Sequence, residues 1–175
     1  PSDWVLLQNE TSGTAAVLAQ AKAQGLKVAF NPAPMTQDIK ALNFAHIDQL
    51  IVNEVEAAEL SESTEMADIE AFFKTHFAHA EVLITQGKQG VKLIHKHADN
   101  LSDIQVPAFV VDAVDTTAAG DTFIGYFIAH YQQYKQAKQA LRFACAASAL
   151  AVTKAGAAQS IPQYADVETF LAQQP

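Results

Sequence analysis

Between Ala113 and Phe123 the chain reads Ala113-Val114-Asp115-Thr116-Thr117-Ala118-Ala119-Gly120-Asp121-Thr122-Phe123, a turn of small residues, a glycine and a carboxylate where a helix is expected to begin. The short side chains of Ala118, Ala119 and Gly120 let backbone amides approach an anion, and the first helical turn carries about half a positive charge on its amides. Asp121 follows directly. A bound phosphate repels a carboxylate, so its presence needs a reason, and taking a proton from an attacking hydroxyl during phosphoryl transfer is one. The same spacing suits an Asp that caps the helix after a flexible turn, and these residues alone leave both readings open.

Other groups are placed for chemistry or for structure. Asn53 and Glu56, three apart, share one face of a helix, and by spacing alone they read as an N-cap with a capping-box or solvated glutamate. Thr85, Gly87 and Gly90 read as a strand ending in a glycine turn. His76 and His79 have the spacing of one helical face but no third ligand nearby in sequence, which fits a solvated helix end better than a metal. His95-Lys96-His97 falls at an expected hairpin turn, and neither pair points to zinc or to histidine catalysis. From Ala140 to Val152 the only charge is Arg142; so apolar a helix is buried on most sides, and its small residues permit a close approach of another helix or of a ligand.

These groups must be held by alternating strands and helices. Strands are expected over Trp4–Leu7, Leu26–Phe30, Gln49–Val52 and Glu81–Thr85, with shorter antiparallel-type strands over Gly90–His95 and Ile104–Val106 around a turn at His97-Ala98-Asp99-Asn100. Helices are expected over Gly13–Gln24, Asn53–Leu60, Met66–Phe77, Gly120–Tyr134, Ala137–Lys154 and Asp166–Ala172. The alternation implies βαβ units and a mainly parallel sheet. Asn31-Pro32-Ala33-Pro34 must end the second strand, because proline fixes φ and lacks an amide donor. No repeat, low-complexity tract or linker indicates a second domain.

Composition narrows the partners. With 175 residues, half of them hydrophobic, the chain is one domain by length and can bury roughly 70% of its unfolded surface. The net charge of −8 argues against nucleic acid, which needs clustered Lys and Arg. The single cysteine, Cys145, allows no internal disulfide and fits a reducing compartment. No apolar run reaches the ~18 residues of a membrane span, and no signal peptide is visible. No Gly-x-Gly-x-x-Gly follows a strand, so dinucleotide binding of the NAD type has little support.

The run from Asp115 to Asp121 resembles the second signature of the ribokinase family of sugar kinases, the phosphofructokinase-B (PfkB) family, whose pattern is Asp-Thr-x-Gly/Ala-Ala-Gly-Asp. Gln8-Asn9-Glu10, Asn31-Pro32-Ala33-Pro34, Asn53-Glu54-Val55-Glu56, Thr85-Gln86-Gly87-Lys88-Gln89-Gly90 and the block from Ala149 to Pro162 are similar to family segments in the same order. The resemblance therefore covers almost the whole chain, and Ala-Ala before the glycine together with Asn-Pro-Ala-Pro is most like the ribokinase branch.

That resemblance implies a three-layer α/β/α fold and ATP-dependent phosphorylation of a sugar hydroxyl, ribose to ribose 5-phosphate, with fructose or a nucleoside as alternative acceptors. It makes Asp121 the base and the amides of Ala118, Ala119 and Gly120 the anion hole. It sets Asn53 and Glu56 near Mg²⁺ and the nucleotide phosphates, Thr85, Gly87 and Gly90 at the nucleotide, Cys145 near the adenine, and Glu10 against the sugar. Asp115, Thr117, Ala151, Lys154, Gly156 and Ser160 match positions that enclose a monovalent cation, K⁺. A cytoplasmic homodimer is implied for the intact enzyme. The family's amino-terminal lid, its sugar-binding Asp near the first strand and its Gly-Gly-x-Gly-x-Asn signature have no counterpart before or after Pro1-Ser2-Asp3-Trp4. The chain is accordingly expected to be the carboxy-terminal portion of a longer kinase, exposing apolar surface and inactive alone, or surviving as a nucleotide-binding or assembly module without turnover.

Overall fold

The computed structural model describes residues 3–96 and 101–174; Pro1, Ser2 and the expected turn His97-Ala98-Asp99-Asn100 lie outside them. The chain divides into two compact units, residues 1–86 with 92–104, and residues 87–91 with 105–175. Six strands form a sheet in chain order: β1 (Trp4–Gln8), β2 (Lys27–Asn31), β3 (Gln49–Asn53), β4 (Glu81–Thr85), β5 (Val91–Ile94) and β6 (Ile104–Val106).

In the first unit β1 to β4 are parallel neighbours, with Gln8 level with Asn31 and Asn53 level with Thr85. The crossovers carry α1 (Thr14–Ala23), α2 (Glu54–Ser61) and α3 (Met66–His76). Alternate strand residues Val28, Phe30, Leu50, Val52, Val82 and Ile84 enter one core with Leu18, Ile69, Phe73 and Phe77. The intervening Ala29, Ile51 and Leu83 are buried too, which is why these strands read as continuous apolar runs rather than alternating ones. The end strand differs: every residue of β1 is at most half-buried, and Leu6 is 45% exposed. Five residues, too few for a crossover between parallel strands, join β4 to β5, and Gly87–Gln89 within them form a 3₁₀ turn.

The second unit is helical: α4 (Ala119–Tyr134), α5 (Ala137–Val152) and α6 (Tyr164–Ala172). Ala140, Ala144, Ala147 and Ala151 are buried at four- and three-residue spacing on α5, so α4 packs close against it. Aromatic rings fill the wider places: Phe143 stands 5.8 Å from Tyr126, 4.8 Å from His130 and 4.7 Å from Tyr164. Arg142 is held over the Phe109 ring, 5.3 Å from its centre.

Several boundaries differ from expectation for local reasons. The strand expected from Gly90 begins at Val91, because Gly90, at φ 99°, still belongs to the turn. A Cβ there would overlap the backbone of Val106 to Ala108, so this glycine is required by packing. Helix α5 stops at Val152 rather than Lys154, where the Thr153 and Lys154 amides turn back to carbonyls of the last helical turn. Helix α6 starts two residues before Asp166, because Gln163 and Asp166 form a capping box that defines its first turn. The segment after Pro34, for which no element was expected, holds two 3₁₀ turns, Gln37–Ala41 and Phe44–His46.

Candidate functional site

Parallel strands place all their carboxyl ends at one edge, where open α/β sheets bind ligands. In the first unit each of those ends is polar: Gln8, Asn31, Asn53 and Thr85 close β1 to β4. Asn53 is the N-cap of α2, its Oδ1 accepting from the Glu56 amide at 2.9 Å while Glu56 Oε2 accepts from the Asn53 amide at 2.9 Å. The capping-box expectation thus describes this pair, and the alternative of a solvated glutamate does not, since Glu56 is only 7% exposed. Burial pushes the Glu56 carboxyl above its ordinary range, against the opposing hydrogen bond from the Asn53 amide. Thr85, half-buried, donates to the Val52 carbonyl at 3.4 Å, and Glu10 is exposed in the turn after β1. Asn9 donates to the Pro34 carbonyl at 2.7 Å and to Thr36 Oγ1 at 3.1 Å, tying that turn to the loop after β2.

In the second unit the start of α4 is built from the loop before it. Ala118, buried, occupies the N-cap position with no side-chain cap, and Asp121 stands in the first turn three residues on. The reading of Asp121 as the helix cap is therefore corrected: the N-cap is Ala118, and the Asp121 carboxylate lies within the first turn, at the positive end of the helix dipole. The Ala119 amide donates to the Thr116 carbonyl at 3.1 Å and that of Thr122 to Ala118 at 3.0 Å. Gly120 and Asp121 lie between them in the first turn of the helix, where an anion meets the positive end of the helix dipole. A Cβ added to Gly120 would meet nothing within 4 Å, so the helix is open to its surroundings at this position.

Asp115 locks that loop. Its Oδ1 accepts from the Thr117 hydroxyl at 2.6 Å and amide at 2.9 Å, and its Oδ2 from the Gly156 amide at 2.9 Å. The Thr117 hydroxyl, then the Gly156 and Thr117 amides, hold the carboxyl down to about 2. The Val114 and Asp115 amides both donate to the Val152 carbonyl, at 2.7 and 3.1 Å. The structure thus brings Asp115, Thr117 and Gly156 together, with Ala151 buried at the end of α5, Lys154 exposed beyond it and Ser160 buried in the same loop. Cys145 is buried within α5 and its thiol is pushed up to about 12 by burial, so it stays a neutral apolar group.

Two residues that take part in this framework were given no site role from the sequence. Ser148, the one hydroxyl among the alanines of α5, donates to the Ala119 carbonyl at 3.0 Å and ties α5 to the first turn of α4. Asn31, named in the sequence only as the first residue of Asn31-Pro32-Ala33-Pro34, is 6% exposed and donates to the Ile51 carbonyl at 2.8 Å. The histidines are engaged otherwise: α3 ends at His76, so His79 is not on that helix, and His76 and His79 donate to the Phe72 and Phe44 carbonyls at 3.0 Å each. Among the described residues no three of His, Cys, Asp and Glu gather around a common point, and no helix is long and apolar enough to cross a membrane.

Four parallel strands in the first unit, with helices in their crossovers, and a sheet of six strands in all place the fold in the three-layer α/β/α class. Residues 5–164 match the pfkB family carbohydrate kinases, and the chain belongs to that family. It is 39% identical to the ribokinase of Haemophilus influenzae, over 97% of this chain and 56% of that protein. Among solved structures, the Thermotoga maritima ribokinase is similar with a TM-score of 0.83 at 34% identity, covering 98% of this chain and 57% of that one. The Arabidopsis thaliana ribokinase complexed with ribose and ATP gives 0.83 at 29% identity, over 96% and 55%. The chain thus spans a little over half the length of these relatives.

Proposed function

We propose that this chain is the carboxy-terminal part of one PfkB-type kinase domain, and that the intact enzyme transfers the γ-phosphoryl group of ATP to a hydroxyl of ribose, giving ribose 5-phosphate. The observation that carries this reading is the start of α4, where Asp121 stands in the first turn beside a glycine at which a Cβ would meet nothing within 4 Å. Asp121 takes the proton from the attacking primary hydroxyl, and the amides of Ala118, Ala119 and Gly120 stabilise charge on the transferred group. Thr85, Gly87, Gly90 and Cys145 flank the nucleotide, and Glu10 contacts the sugar.

Mg²⁺ neutralises charge on the nucleotide phosphates when bound. It keeps most of its waters, and a single buried carboxylate fixed by a capping box suits an ion held through them, so Glu56 and Asn53 orient that shell. For K⁺, Asp115 with backbone oxygens of Thr117, Ala151, Lys154, Gly156 and Ser160 offers one carboxylate and several carbonyls, the donor set of a large hard cation. The Asp115 bond to Gly156 already draws the two loops of that set together. The enzyme works as a homodimer in the cytoplasm on this reading.

The test is direct. The full-length kinase given ATP, Mg²⁺ and ribose yields ADP and ribose 5-phosphate, faster in K⁺ than in Na⁺ at constant ionic strength, since general screening treats the two salts alike. Equal rates remove the cation site, and turnover of fructose or a nucleoside in place of ribose moves the substrate. A second reading, a nucleotide-binding or assembly module without turnover, is favoured for this chain by itself, because it covers 56% of its Haemophilus relative. The isolated chain then binds ATP and phosphorylates nothing; ribose phosphorylation by it at ordinary rates overturns that view.

A further inference from the structure

Helix α5 and the loop after it hold the start of α4 at three points. The Gly156 amide donates to Asp115 Oδ2 at 2.9 Å, the Val152 carbonyl accepts from the Val114 and Asp115 amides at 2.7 and 3.1 Å, and the Ser148 hydroxyl donates to the Ala119 carbonyl at 3.0 Å. The first two fix the loop; the third reaches α4 itself. A helical carbonyl is already served by the amide four residues on, so α4 does not need the serine in order to form. Alanine at 148 would continue the run of Ala146, Ala147 and Ala149 and is the better helix former, so α5 does not need it either.

What the hydroxyl reaches is one peptide group. The Ala119 carbonyl and the Gly120 amide belong to the same planar trans unit and point in opposite directions. A donor on the carbonyl fixes that plane, and with it the direction of the Gly120 N–H at the helix start. It also polarises the unit, which makes the N–H a stronger donor. We propose that Ser148 is a positioning residue for phosphoryl transfer: through the Ala119 carbonyl it aims and strengthens the Gly120 amide, so that this N–H meets the charge on the transferred group. This rests on the reading of the Ala118, Ala119 and Gly120 amides as the groups that stabilise that charge.

The experiment uses the full-length kinase, labelled with ¹³C at alanine carbonyls and ¹⁵N at glycine so that NMR reports Ala–Gly peptide groups alone. This sequence holds two such pairs, Ala119-Gly120 and Ala155-Gly156. Ser148→Ala and Ser148→Cys, whose thiol is a weak donor, should shift the first pair and leave the second in place. Both should lower kcat by about three- to tenfold, less than the roughly 10²- to 10³-fold that follows loss of a whole donor. KM for ATP and for ribose should not change, the mark of an interaction made only in the transition state. Ser148→Thr, which returns the hydroxyl, should restore both the resonances and the rate. Resonances that stay in place in the alanine variant overturn the link from Ser148 to Gly120. Shifted resonances with full turnover, a loss confined to KM, or a threonine variant as slow as the alanine one overturn the positioning role. Wild-type turnover in Asp121→Asn overturns the reading of the site itself, a result distinct from the others because the resonances report on the link without turnover.

Discussion

Glu56 and Asp115 are both carboxylates in contact with backbone amides near the start of a helix, yet their surroundings move them in opposite directions. Glu56 is buried, and desolvation of its charge outweighs the Asn53 amide, so its proton is held more tightly than usual. Asp115 is only partly buried, and the Thr117 hydroxyl with two amides favours its charge without a desolvation cost of comparable size, taking it down to about 2. The parallel sheet edge thus stores a carboxylate at some expense to folding, while the loop before α4 uses one as a clasp. A group whose burial costs stability is the better candidate for a role with a ligand, and one whose ionisation is favoured is the better structural element.

The largest expected effect belongs to neither, but to the helix that the clasp supports. In the full-length kinase, Asp121→Asn should leave nucleotide binding intact and lower turnover by roughly 10²- to 10⁴-fold, the usual contribution of a general base. That is about 3–5 kcal/mol of barrier. Steady-state kinetics with ATP titrated calorimetrically checks both halves, and turnover close to wild type would sink the assignment of the base.

The contrast is sharpened next at Glu56. Its folded pKa is raised, so the protonated form favours folding: stability is fully present below the ordinary value of 4.5 and falls as pH rises through the folded value. Glu56→Gln removes the charge and keeps an oxygen able to accept from the Asn53 amide. The variant should match the wild type at pH 4 and be more stable at pH 7, by about 0.5–2 kcal/mol, the range common for stabilising single substitutions. Urea unfolding at the two pH values measures the difference, and a variant less stable than wild type at pH 7 would show that the carboxylate is needed by the fold itself.

How far these regions were legible beforehand follows the same physics. Strands β2 to β4 are continuous apolar runs, and that continuity located them within a residue or so. The Asn53 and Glu56 pair was readable because a capping box is local, closed within three residues. The burial of Glu56 was not readable, because it is set by the fold around α2 and not by the residues next to it in sequence. At Asp121 the spacing left cap and base both open, and the fold removed the cap by starting the helix two residues earlier, at Ala119. The link from Asp115 to Gly156 spans 41 positions; nothing in either local segment announces it, and only the resemblance to the kinase family joined the two loops. Gly90 shows the converse, since its turn was visible while its reason, backbone packed where a Cβ would sit, was not.

The smallest expected effect is at the clasp, and its sign is opposite to that at Glu56. Asp115 has a folded value of about 2 against an ordinary 3.8, so its contribution is fully present above the unfolded value and is lost as pH falls through the window between the two. Because the group is only partly buried, the loss should be local, with the global unfolding transition scarcely displaced. The Gly156 and Thr117 amide resonances, followed by NMR from pH 6 downward, should stay constant until below pH 3.8 and then move together with a midpoint near 2. In Asp115→Asn that movement should vanish, because no charge remains to titrate. The Gly156 amide should also exchange faster with solvent than in the wild type, since an amide group at this position turns a donor toward it as readily as an acceptor. A Gly156 resonance that titrates with an ordinary carboxylate midpoint would mean that the clasp is open in solution, and the distinction between a stored carboxylate at the sheet edge and a clasping one before α4 would fall with it.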